Sequence, residues 1–165
     1  MTLRAAALLL LSLSLGCAGV GPRGSAAPRI SDVAREGDPA RRASLRLVDQ
    51  GLADESGGAR RQAVVHYERA LSIDPTNPYA YMALARHFVE VQDYERGLEY
   101  VAQAEVLLGS GDADSPRAEA HIAGLRGWAL LGMGREDKAA PLLDEARDLD
   151  PAAWSDGRLT ADELR

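Results

Sequence analysis

The side chains able to hold a metal or attack a carbonyl are few: His66, His87, His121 and a single cysteine, Cys17. A structural or catalytic metal needs three or four such ligands close together, and covalent hydrolysis needs a nucleophile beside a positioned base. No cysteine and no pair of carboxylates accompanies any of the histidines. A glycine-rich phosphate loop and a nucleophile elbow are both missing from the sequence. The 25 acidic residues are scattered along the chain and read as solvated helix faces. This pattern predicts a protein that is not an enzyme, with no metal and no cofactor.

Composition narrows the class further. The chain has 165 residues, 46% of them hydrophobic, 27% charged and only 5% aromatic, with a net charge of −6. A negative chain with few aromatics offers neither the basic footprint nor the stacking surface that nucleic acid requires. Of 19 basic residues only Lys138 is a lysine. The pairs Arg41-Arg42 and Arg60-Arg61 are too small to form a phosphate-binding cluster.

The elements that would position any binding surface emerge from a repeat. Gly58–Pro75 carries Ala63, Tyr67, Ala70 and a terminal Asp-Pro, the pattern of the second helix of a helical hairpin. A step of 34 residues finds Gly97, Val101 and Ala104, and the pattern returns as Gly134, Ala139, Leu143, Ala146 and Asp150-Pro151. Helix–turn–helix units with this period resemble tetratricopeptide repeats. The resemblance spans Ser44–Pro151 and implies an all-α fold, a short right-handed solenoid of about three repeats over residues 44–77, 78–111 and 120–153. Small residues at Gly51, Ala63 and Ala70 let antiparallel helices approach closely, and Tyr67 fills the gap between repeats. Asp54 stands where the family places an aromatic, which predicts loose packing there. Ala123 and Arg126 replace large apolar residues in the third repeat. A polar loop, Gly109–Ser115, separates the second repeat from the third.

Boundaries follow from capping chemistry. Asp38-Pro39 opens the first helix, with Asp38 as N-cap, and the repeat domain runs over residues 38–151. Ser115-Pro116 opens the third repeat. Pro141 is expected in the first turn of the last repeat helix, where its missing N–H needs no partner. Over residues 152–165, Thr160 and Glu163 form a capping-box pattern and Trp154 would cover the third repeat as a C-terminal cap. The alternative is a mobile tail.

In tetratricopeptide domains the first helices line a concave groove. Carried over residue by residue, the resemblance assigns a partner-binding groove to Leu45, Val48, Leu52, Tyr79, Met82, Arg86, Val89, His121, Trp128 and Leu131. This mostly apolar stripe suits a protein or peptide partner with hydrophobic anchors. The family's carboxylate clamp is missing, because Val48 and Leu52 stand where basic or amide groups are required. Two alternatives remain open: the segment Ile30–Arg35 or the C-terminal tail fills the stripe, or the stripe or Trp154 joins copies into a homo-oligomer.

The N-terminus reads as an address. Arg4 precedes the apolar run Ala5–Leu15, which has the length of a signal-peptide core and about half that of a membrane span. The run stops at Leu15-Gly16-Cys17-Ala18, which resembles a bacterial lipoprotein signal: residues 1–16 would be removed and Cys17 would carry covalent lipid. Several acyl chains anchor stably where one does not. Ala18 after the cysteine implies the outer membrane, facing the periplasm, with the lipid as the only membrane contact. Ordinary signal cleavage near Ala18, which would discard Cys17, is the alternative. Residues 17–37 then form a Gly-, Pro- and Ala-rich linker.

Overall fold

The computed structural model describes residues 38–109 and 115–165. The expected signal peptide, Cys17, the expected linker with Ile30–Arg35, and most of the expected surface loop lie outside the described residues.

Three helical hairpins stack in sequence: α1 (Pro39–Ser56) with α2 (Arg60–Ile73), α3 (Pro78–Glu90) with α4 (Tyr94–Gly109), and α5 (Pro116–Gly132) with α6 (Glu136–Leu149). A one-turn helix, α7 (Ala161–Leu164), ends the chain. Each hairpin packs most closely on itself, α2 meets α3, and α4 meets α5. The first helices α1, α3 and α5 also touch in that order, making a continuous inner row.

Helix starts follow the expected chemistry. The Asp38 carboxylate accepts from the backbone N–H groups of Ala40 and Arg41, and Asn77 accepts from Tyr79 N–H. A proline occupies the first turn of α1, α3 and α5, where no intrahelical donor is needed. Buried Ser44 donates to Ala70 O at 2.8 Å and accepts from Asn77 Nδ2 at 2.8 Å, tying the start of α1 to the end of its hairpin. Arg41 clasps Asp74 at the same end.

The hairpin turns repeat one backbone motif. Ala59 N–H donates to Asp54 O, Asp93 N–H to Phe88 O, and Arg135 N–H to Leu130 O. This six-residue closure requires a left-handed residue at the turn. That residue is Gly58 (φ 85°), Gln92 (φ 66°) and Gly134 (φ 73°) in turn. Close helix approach also repeats: a methyl group on Gly51 would overlap the Tyr67 ring, and one on Gly127 would sit 2.8 Å from Leu143 Cγ.

Asp54, Arg126 and Pro141 depart from the repeat pattern, and Pro141 is not where it is expected. At Asp54 a polar contact stands where the family places an aromatic: His66 Nδ1 lies 2.9 Å from its Oδ2, and neither atom makes a hydrogen bond among the described residues. Arg126 pairs outward with Glu105 at 2.6 Å, and beside the small Ala123 a cleft of about 270 Å³ opens between α4, α5 and α6. Pro141 is the sixth residue of α6, inside the helix beyond its first turn. Its ring removes the donor that would meet Asp137 O, and both residues are exposed, so water can take the carbonyl.

Candidate functional site

The inner row is apolar at its base and carries one buried ionic centre. Glu55, at the end of α1, accepts from Tyr67 Oη at 2.9 Å, from Arg86 Nη2 at 2.5 Å and from His87 Nδ1 at 2.7 Å. These four side chains come from α1, α2 and α3, so the carboxylate joins the first two repeats. Burial pushes the Glu55 carboxyl up, but the hydrogen bond from His87 and the charge and donors of Arg86 outweigh it and hold the group below its ordinary value. Burial and the neighbouring Glu55 charge push the Tyr67 hydroxyl far above its usual range. It stays a neutral donor. A buried carboxylate held by three donors from two other helices ties those helices together.

The C-terminal segment crosses this row. After α6, Ala153 and Trp154 turn back onto α5, and Trp154 is 0% exposed. Its ring lies in a slot left by Gly124, where any Cβ would overlap the indole. Trp154 Nε1–H donates to His121 Nδ1 at 3.2 Å. That bond makes Nδ1 the acceptor and leaves the proton on Nε2, which finds no partner among the described residues. Burial, reinforced by the Arg117 charge, lowers His121 to about 4, so the imidazole is neutral.

Farther on, Leu159, Ala161 and Leu164 are buried in the same core as the first helices. Arg86 Nη1 donates to Leu159 O at 3.4 Å, and Arg117 Nη2 to Glu163 O at 2.9 Å. Thr160 and Glu163 satisfy each other's backbone N–H groups, the full capping box. Helix α7 packs on α1 and more lightly on α3. Ser56 Oγ donates to Asp162 Oδ1 at 2.8 Å, and Arg165 Nε to Asp49 Oδ1 at 2.7 Å. The tail is a cap that continues past the third repeat to the first.

This placement alters the expected groove. Leu45, Val48, Leu52, Met82, Arg86, Val89, His121 and Trp128 are all buried, between neighbouring first helices and beneath the returning tail. Tyr79 is half-buried, and Leu131, 45% exposed, is the one open member. The stripe is therefore not a free surface in this conformation, because the chain's own C-terminus fills it. Trp154 is likewise off the surface and cannot join copies while it is seated. What stays open beside the tail is a cleft of about 390 Å³, lined by Glu55, Arg60, Arg86, Glu90, Trp128 and residues 156, 158–162.

Several contributors escape sequence reading. Glu55 falls at a groove-lining position of the register, but nothing local marks its three partners from α2 and α3. His87 and His121 read as surface or interface imidazoles, yet both are buried. Leu159 and Leu164 do leave a signal: they are the leucines of an otherwise polar tail flanking a capping box. Among the described residues no group of three or more His, Cys, Asp or Glu side chains could hold a metal. No described helix is long and apolar enough to cross a membrane.

The architecture is that of a tetratricopeptide solenoid. The N-terminal domain of stress-induced protein-1 (STI-1) from C. elegans superimposes with a TM-score of 0.59 at 19% identity, covering 69% of this chain and 89% of that one. The Arabidopsis OM64 TPR domain superimposes with a TM-score of 0.55 at 21% identity, covering 68% and 86%. At these identities the likeness is one of fold. No family model matches the chain, and no curated protein does.

Proposed function

We propose that this chain is a lipid-anchored periplasmic adaptor that binds a protein or peptide partner through the inner face of its repeats. One observation carries the binding reading: that face already grips a peptide, the chain's own C-terminal segment, through a ring slot, buried leucines and donors to backbone carbonyls. The anchoring reading rests on Cys17, the sole cysteine, at the end of an apolar signal-like run. A lipid on Cys17, with residues 18–37 as a spacer, would place the solenoid at the inner surface of a bacterial outer membrane. Its partner would then belong to an envelope assembly such as a pilus, secretion, outer-membrane or cell-wall machine.

Two measurements test this together. Growth with an alkyne fatty acid should label the chain, and Cys17→Ser should abolish the label. A photo-crosslinker in place of exposed Leu131 should attach one envelope protein. Labelling that survives Cys17→Ser removes the anchor; no foreign crosslink removes the adaptor.

A further inference from the structure

The two halves of the C-terminal segment are held in different ways. Trp154 is locked into α5 by shape and by its bond to His121. After it, residues 155–158 form a mostly exposed loop in which Gly157 adopts φ 76°. The terminal part then relies on α7, a single helical turn, which is too short to persist without the surface beneath it. Two of its ties, Ser56 to Asp162 and Arg165 to Asp49, are exposed, where hydrogen bonds and ion pairs compete with water and salt, and a third, Arg117 Nη2 to Glu163 O at 2.9 Å, is only part-buried.

Arg86 shows that this half is an imperfect occupant. The guanidinium is almost wholly buried, yet its contact to Leu159 O is long at 3.4 Å and its Nε–H finds no acceptor among the described residues. A buried unsatisfied donor is costly, and the Arg86 side chain that carries it borders the cleft of about 390 Å³ left between the tail and Trp128. A better-fitting segment would place an acceptor there and fill the cleft.

We infer that Leu159–Arg165 is a displaceable latch on the partner site. A partner replaces it with a short capped helix that carries one leucine-like anchor just before its N-cap and one in its first turn, as Leu159 and Leu164 do, and an acidic or carbonyl acceptor for Arg86. Trp154 stays seated while α7 leaves. This deepens the adaptor reading and rests on it, since the latch guards the surface that reading assigns to the partner.

The test uses the full chain and a fluorescent peptide of residues 157–165. Leu164→Asp should release α7 without loss of helix content or of Trp154 burial, read by circular dichroism and tryptophan fluorescence. The released chain should bind the peptide at least tenfold more tightly than the unaltered chain does. Equal binding by both chains overturns the latch, as does no binding by a folded Leu164→Asp chain. If that variant unfolds, a chain ending at Arg158 takes its place; unfolding of both makes the segment part of the core and also overturns the proposal. A partner still crosslinked at Leu131 when the peptide fails sinks the latch alone. Peptide uptake without any envelope partner sinks the adaptor reading and leaves the latch.

Discussion

The indole of Trp154 and the imidazole of His121 meet in the interior, with Trp154 Nε1–H donating to His121 Nδ1 at 3.2 Å across the junction of tail and third repeat. Trp154→Ala should cost about 3–5 kcal/mol, the range for emptying a buried ring site. Trp154→Phe keeps most of the ring but strands the His121 acceptor, and should cost about 1–3 kcal/mol. Gly124→Ala should mimic the larger loss, because its methyl group occupies the ring's space. Urea denaturation of each variant checks the order.

Acid should weaken the fold through the same pair. His121 is lowered from the ordinary imidazole value of 6.5 to about 4 by burial first and the Arg117 charge second. Between those values the unfolded chain binds the proton and the folded chain does not, so stability rises with pH. The contribution is full above about 6.5, is lost as pH falls toward 4, and amounts to roughly 3 kcal/mol. Protonation also turns Nδ1 into a donor facing the indole donor. Glu55, held low by its partners, adds a further loss in acid in the same direction. Denaturation midpoints from pH 7.5 to 4 should flatten in His121→Asn; an unchanged slope refutes the assignment.

The ionic centre predicts strong coupling. Glu55→Ala leaves Arg86 buried without its main counter-charge and should destabilise by about 3–5 kcal/mol. Arg86→Ala in that background should cost much less than it does alone, with a coupling of about 0.5–3 kcal/mol. A double-mutant cycle by chemical denaturation measures it, and simple additivity would mean that the pair is not coupled.

The three turns predict a stabilising change. Gln92 holds the left-handed conformation that Gly58 and Gly134 supply in the other repeats. For a residue with a side chain that conformation costs roughly 1–2 kcal/mol. Gln92→Gly should therefore raise stability by up to about 1 kcal/mol after the glycine's own entropy is counted, and Gly58→Ala should lower it by a similar amount. Thermal melts of the two variants should move in opposite directions.

The repeat architecture is legible in the sequence because its determinants are local. Small residues recur at the helix crossings, Asp38 marks a helix start, and Gly58 and Gly134 mark turns. Each acts within a hairpin, so spacing alone carries it. Pro141 was harder, since its place depends on where α6 begins, and turn chemistry rather than periodicity sets that. The site was only half legible. The stripe residues can be named from the register, but their burial depends on the tail, which pairs Arg165 with Asp49 and Ser56 with Asp162 across most of the chain. Short-range pattern carries no record of such contacts. The register reaches Glu55 as a groove position but not its burial, because its partners lie on α2 and α3.

Linear repeat arrays ordinarily behave as strings of nearest neighbours, so that an end repeat can fray without the rest. The tie from Arg165 back to Asp49 closes this string into a loop. Loss of α1 then also breaks the α7 contacts that trail from the third repeat, so while the tail is seated the first hairpin does not open alone. Such distant pairings also raise the contact order and slow the final folding step relative to an open array of equal length. A chain held at both ends is stiff; lifting one end would return the first hairpin to independent motion.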